Sequence, residues 1–145
     1  MSTPGHLVWR LSTKWRVAVD RALAPIGLTH AQYVFLSSLF GLERAGASPS
    51  QRELADHTGL EALYVSKLAR TLDADGLVER TRDPADTRTV RLRLTDRGRE
   101  VTEPAIDTVA ELLDRLLAPL GGRHGERTAA LARELTVLLD TPLDS

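Results

Sequence analysis

The sequence predicts a mainly α fold with one small β-hairpin, arranged as a winged helix-turn-helix with further helices on either side. Three observations carry this. Apolar residues recur three or four positions apart over most of the 145 residues, the period of an amphipathic helix. Two such segments, around Leu54 and Leu68, are separated only by a turn-length gap containing Gly59. Directly after them the period changes to two: Val90, Leu92 and Leu94 alternate with Arg91 and Arg93, as on a strand with one solvated face.

The elements follow in order. Leu7, Leu11, Trp15, Ala18 and Ala22 line one face of a first helix ending near Leu23, before Pro25 and Gly27. Thr29-x-x-Gln32 is a capping box, in which each side chain satisfies an orphan amide of the next helix. Tyr33, Leu36, Leu39 and Phe40 mark that helix. Ser50-x-x-Glu53 is a second capping box and opens a short helix that Gly59 closes. The next helix spans about Glu61 to Asp75, with Gly76 after it. Together these two form the helix-turn-helix. Strands follow at Leu77–Arg82 and Arg88–Leu94, joined by the turn formers Asp83-Pro84-Ala85-Asp86-Thr87. Thr95 is a candidate N-cap for a helix with the apolar stripe Val101, Ala105, Val109, Leu112, Leu113, Leu116 and Leu117. Pro104 conflicts with this pattern and predicts a kink or a restart. Gly121-Gly122 provides a helix–helix turn. A last helix, about Arg123 to Asp140, carries Leu131, Leu135, Leu138 and Leu139 on one face. The outer helices have little core of their own, so their leucines are expected to pack on each other and on a second chain.

Composition excludes several chemistries. There is no cysteine, hence no disulfide, thiol nucleophile, iron–sulfur cluster or Cys-ligated zinc. His6, His30, His57 and His124 are scattered without metal-ligand spacing. No nucleophile elbow, phosphate-cradling glycine loop or dinucleotide fingerprint is present, so no enzyme, metal or other cofactor is expected. No apolar run approaches a membrane span, and the first residues lack the form of a secretory signal. A cytoplasmic protein is the expectation. The net charge is −1, but it is unevenly spread. Residues 1–50 hold five basic and two acidic side chains, residues 51–100 ten and ten, and residues 101–145 four and eight. From Glu79 to Arg99 seven arginines face four acids, a local basic stripe of the kind that binds polyanions.

With these residues in place, the sequence resembles the MarR family of bacterial transcriptional regulators. The resemblance rests on Asp83 to Gly98, which is similar to the family's wing signature: Asp-x-Arg, then an alternating strand ending Leu-Thr-x-x-Gly. Gln51-Arg52-Glu53-Leu54-Ala55 and Leu72-Asp73-Ala74-Asp75-Gly76-Leu77-Val78-Glu79-Arg80 also match. It implies a single domain over 1–145. A winged DNA-binding lobe would span 30–99, and a helical dimerisation lobe 1–29 and 100–145. It further implies a homodimer, a palindromic double-stranded DNA operator and often a small-molecule inducer, with repression expected over activation. The alternative from a different class is a winged-helix module that binds protein, for which an uncharged or acidic recognition face is expected.

On a helical wheel, Val65, Leu68, Ala69 and Leu72 form the core face of the recognition helix. Leu63, Ser66, Lys67 and Arg70 point the other way, with Tyr64 on the flank. Lys67 and Arg70 suit guanine acceptors or phosphate, Ser66 a phosphate or base edge, and Leu63 a thymine methyl. Packing against a neighbouring helix is the alternative for Tyr64 and Leu63. The resemblance places Arg88 at the wing, where an Arg enters the narrow minor groove. Arg82, Arg91 and Arg93 are candidate phosphate contacts, or partners of nearby aspartates. Asp83 and Asp86 are expected to brace the hairpin. Ser50 and Gln51 are candidate phosphate contacts at a helix N-terminus, with capping as the second role for Ser50. The stretches matching the family's ligand region supply Trp9, Arg10, Thr13, Lys14, Arg16, His30 and Tyr33. An aromatic wall with cations suits an aromatic carboxylate or a phenol.

Overall fold

The computed structural model describes residues 1–144. Six α-helices and one antiparallel hairpin follow the expected order among them: α1 Pro4–Leu23, α2 His30–Arg44, α3 Gln51–Thr58, α4 Ala62–Ala74, β1 Val78–Arg82, β2 Val90–Leu94, α5 Asp96–Leu117 and α6 Glu126–Leu139. The chain forms two compact units, Met1–Asp107 and Thr108 onward.

Local sequence sets most boundaries. Helix α1 begins a turn before its first leucine, because the Thr3 hydroxyl accepts from the His6 amide and Pro4 occupies the first turn. Both capping boxes are complete. Thr29 and Gln32 exchange side-chain-to-amide bonds of 3.1 and 3.0 Å, and Ser50 and Glu53 bonds of 3.0 and 3.1 Å. Gly59 closes α3 at φ 78°, in the left-handed region. Two short 3₁₀ turns, Ala24–Ile26 and Ala118–Leu120, follow α1 and α5. Each contains a proline, and the sequence pattern alone read these as plain breaks. Pro104 neither ends nor restarts a helix: α5 runs from Asp96 to Leu117 with Pro104 inside it. Pro104 has no N–H to give the Glu100 carbonyl, and one missing bond in a 22-residue helix is tolerated.

The first unit holds the larger core. Val19 and Leu23 of α1, Phe35, Leu36 and Leu39 of α2, Leu54 of α3, and Val65, Leu68, Ala69 and Leu72 of α4 are all buried. Val78, Leu92 and Leu94 close it from the hairpin. The register pairs Val78 with Leu94 and Arg82 with Val90. A connection absent from the sequence reading joins the hairpin to the helices. Ser50 forms an isolated antiparallel bridge with Arg91, and the Leu92 amide donates to the Pro49 carbonyl at 3.0 Å. The chain entering α3 thus lies along β2 as a third, minimal strand.

The Leu-Thr-x-x-Gly segment has a physical explanation. The Thr95 hydroxyl donates to the Gly76 carbonyl at 2.7 Å and accepts from the Gly98 amide at 2.9 Å. The Thr95 amide donates to the Leu77 carbonyl at 3.1 Å. Thr95 therefore caps α5 and pins its first turn to the end of the α4–β1 connection. Gly98 lies so close to that connection that a Cβ there would overlap the Leu77 carbonyl oxygen.

In the second unit the Asp114 carboxylate accepts from the Arg123 amide at 2.8 Å across the Gly121-Gly122 turn. Both glycines have positive φ, 94° and 83°. Helix α6 has no buried residue, and Leu138 and Leu139 are 64% and 85% exposed. In α1, Leu7, Val8, Leu11 and Trp9 are also exposed, the last by 66%.

Replacing Ser50 by alanine removes the hydroxyl that caps α3. The expected cost is about 1 kcal/mol of folding stability, read as a lower midpoint in urea at unchanged m-value.

Candidate nucleic-acid interface

Helix α4 divides as its sequence predicts. Val65, Leu68, Ala69 and Leu72 are buried, and the opposite face lies open. Leu63 is 83% and Tyr64 43% exposed. Lys67 and Arg70 are exposed, and neither has an ion-pair partner among the described residues. Ser66 is half-buried. The helix therefore offers two unneutralised cations, a hydroxyl, an aromatic and an aliphatic side chain on one surface. Neither Leu63 nor Tyr64 is sequestered by a neighbouring helix.

The hairpin loop is closed on itself. The Asp83 amide donates to the Thr89 carbonyl and the Thr89 amide to the Asp86 carbonyl, both at 2.9 Å. Arg82 is exposed and donates to the Thr87 carbonyl at 2.7 Å. Asp83 Oδ1 accepts from the Ala85 amide at 2.9 Å, an Asx turn. Asp86 Oδ1 accepts from the Arg88 amide at 3.1 Å and from Arg88 Nε at 3.2 Å. These bonds favour the charged carboxylates and hold them below their usual range. The Ala85 amide contributes most for Asp83, and the Arg88 side chain most for Asp86. Arg88 itself projects from the wing with its side chain 91% exposed.

The remaining wing arginines are committed within the chain. Arg93 pairs with Glu79, its cross-strand partner, at 2.8 Å. Arg91 bonds Asp83 and Glu53. Of the other cations between Glu79 and Arg99, Arg80 pairs with Asp73 and Arg99 with Asp96 and Glu43, while Arg97 is exposed with no ion pair among the described residues. The basic stripe of the sequence is thus largely neutralised in three dimensions. Ser50 is 6% exposed and its hydroxyl is spent on the cap. Gln51 is half-buried, and its Oε1 lacks a hydrogen-bond partner.

Gln51, Arg52, Ala55, Asp56, Leu60, Ala62 and Arg88 line a cleft of about 470 Å³ between α3, the start of α4 and the wing. Arg52 was not singled out from the sequence, where it is one charge on a short helix. In the structure it is exposed on the same cleft as Arg88, without an ion-pair partner among the described residues. Glu53 is the second addition. Its local signal, the capping box, hid its long-range bond to Arg91.

The seven residues expected at a ligand site lie on α1 and on the first turn of α2. Arg10 and Lys14 border a shallow depression of about 220 Å³ with Leu7 and Leu11. Trp9 is exposed on the same helix, and Thr13 Oγ1 is buried without a partner. His30 is half-buried and its amide donates to Asp20 at 2.7 Å. Burial lowers the His30 pKa, Asp20 opposes this, and Arg16 adds to the lowering. Burial raises the Tyr33 pKa against a bond to Ser37. No group of three or more His, Asp or Glu among the described residues is placed to hold a metal ion. None of the described helices is long and apolar enough to cross a membrane.

A buried face on the second helix of a helix-turn-helix, an open mixed face opposite, and a hairpin beside it define a winged helix-turn-helix protein. The comparisons agree. A model of the MarR family matches residues 26–89. A transcriptional regulator of Bacillus subtilis, YdcH, is 35% identical over 111 residues, covering 77% of this chain and 76% of its own. Among solved structures, the transcriptional repressor CouR bound to a 23-mer DNA duplex superposes with a TM-score of 0.79. It is 31% identical, over 94% of this chain and 92% of that one. The PcaV regulator from Streptomyces coelicolor, in complex with its natural ligand, gives a TM-score of 0.78 at 27% identity. That match covers 97% of this chain and 94% of that one. The chain belongs to the MarR family, whose members are DNA-binding transcriptional regulators rather than enzymes.

Proposed function

We propose that this chain is a homodimeric repressor that binds a palindromic operator, with α4 in the major groove and the wing in the adjacent minor groove. One observation carries this: Leu63, Lys67 and Arg70 are exposed on the face of α4 opposite its buried one, with Tyr64 exposed on the flank. Arg70 and Lys67 read guanine or phosphate, and Leu63 packs against a thymine methyl. Ser66 and Gln51 add phosphate or base contacts from the helix-turn-helix, and Arg88 enters the minor groove. CouR, a transcriptional repressor bound to a 23-mer DNA duplex, supports duplex binding and repression. Bound promoter DNA is then closed to polymerase.

The exposed apolar residues of α1 and α6, Leu7, Val8, Trp9 and Leu11 with Leu135, Leu138 and Leu139, support a second chain that would cover them. In this reading 30–99 is the DNA lobe, and 1–29 with 100–145 the dimerisation lobe. Sedimentation equilibrium is expected to give twice the chain mass of 15.9 kDa. A monomer at micromolar concentration contradicts the dimer. The PcaV complex with its natural ligand supports a bound small molecule, and the aromatic and cationic side chains of the candidate site suit an aromatic or phenolic inducer. Trp9, Arg10, Thr13, Lys14, Arg16, His30 and Tyr33 are its candidate contacts.

Selection of bound duplexes from a random-sequence pool, at a stated salt concentration, tests the function. A palindrome with half-sites about one helical turn apart is expected. Only sequence-blind, steeply salt-dependent binding contradicts it. With that duplex, Arg70→Ala is expected to weaken binding by about 1–3 kcal/mol and to relax preference at one base pair. Competition among operators varied at each position measures both.

A further inference from the structure

We propose that Arg91 is a positioning residue: it locks the wing to the start of α3 and thereby sets where Arg88 is presented. The proposal rests on the reading of Arg88 as a DNA contact. The strand period gives Arg91 the same status as Arg93, an outward cation on β2. The structure separates the two. The Arg91 Nε donates to Asp83 Oδ2 at 3.1 Å, and its NH2 lies 3.1 Å from the same oxygen. NH1 donates to the Ser48 carbonyl at 3.1 Å and to Glu53 Oε1 at 2.8 Å. One guanidinium thus joins the first residue of the wing loop, the segment before α3 and the third residue of α3.

The backbone reinforces the same junction. Arg91 is the residue that bridges Ser50, and the next amide bonds Pro49. Main chain and side chain of one residue therefore dock the hairpin onto 48–53. Each acid it binds also has a second, local duty. Asp83 shapes the loop through the Ala85 amide, and Glu53 caps α3 through the Ser50 amide. The loop that carries Arg88 is thereby referred to the helix-turn-helix through Asp83, Arg91 and Glu53. Arg93 has a single partner on the neighbouring strand, so it can fix nothing beyond the hairpin. A lysine at 91 keeps the charge but lacks the planar fork with donors on three nitrogens.

The test uses fluorescence anisotropy with the labelled duplex obtained by selection, on the full-length protein and the variants R88A, R91A, R91K, D83N and R88A/R91A. A positioning role predicts that R91A and R91K each weaken binding tenfold or more. R91A should add less than about threefold once Arg88 is gone. D83N should weaken binding although it removes a negative charge near DNA. Full multiplication of the R88A and R91A losses, or tighter binding by D83N, overturns the proposal, because Arg91 is then an independent phosphate contact. Amide hydrogen exchange of the free proteins separates the two layers. Faster exchange at Thr89 and Leu92 in R91A, at unchanged exchange in the core of α4, is expected from the lock. If R88A binds DNA as well as the parent, the reading of Arg88 falls, and Arg91 is not a positioning residue for it. Unchanged exchange in R91A removes the lock itself.

Discussion

Gly98→Ala is expected to destabilise the fold by about 3 kcal/mol, lowering Tm by roughly 10 °C in a calorimetric or circular-dichroism melt. The added methyl falls on the Leu77 carbonyl. That oxygen is backbone and already accepts from the Thr95 amide, so no rotamer change makes room. Either α5 moves away from the α4–β1 connection, or the Thr95 cap opens. Gly41→Ala is the control. Gly41 lies within α2, and a Cβ there meets nothing within 4 Å. Alanine at that position is expected to raise stability by about 0.5–1 kcal/mol. Equal and small effects at both sites contradict the close approach of α5 to Leu77.

Arg88→Ala is expected to cost about 1–3 kcal/mol of operator affinity, a loss of roughly five- to 150-fold, at nearly constant Tm. The two halves have separate reasons. The Arg88–Asp86 pair is highly exposed on the arginine side, and such pairs contribute little to folding. The wing loop keeps its own bonds through Asp83, Thr89 and Arg82 without it. The affinity loss follows from withdrawing a guanidinium from a narrow, electronegative groove. A band shift and a thermal melt on the same preparation decide it. Unchanged affinity with unchanged Tm removes Arg88 from the interface.

These two residues also mark what could be read from the sequence. Caps and turns are local, so Thr29, Ser50, Gly59 and Thr95 fall where their neighbours in sequence place them. The buried face of α4 follows from a period of 3.6 and four apolar residues. The MarR family resemblance, carried by Asp83 to Gly98, held for the whole fold. The partners of charged groups could not be read, because pairing depends on which elements are adjacent. Arg91 meets Glu53 across 38 positions and Ser48 across 43. Counting seven arginines from Glu79 to Arg99 therefore overstated the free positive charge. Lys67, Arg70 and Arg52, exposed and without an ion pair among the described residues, lie outside that run, and within it Arg97 is exposed and unpaired in the same way. Pro104 shows the limit of a local rule: of the kink or restart it predicted, α5 has no restart, because the helix continues from Asp96 to Leu117 through it.

The closed loop at the wing has a thermodynamic consequence. Residues 83–89 already exchange their hydrogen bonds among themselves in the free chain. Engagement of a groove by this tip therefore needs little further ordering of the backbone. Only the rotamers of Arg88 remain to be fixed, a loss of at most about 2 kcal/mol. Heat-capacity changes at the wing should accordingly resemble rigid docking rather than folding coupled to association.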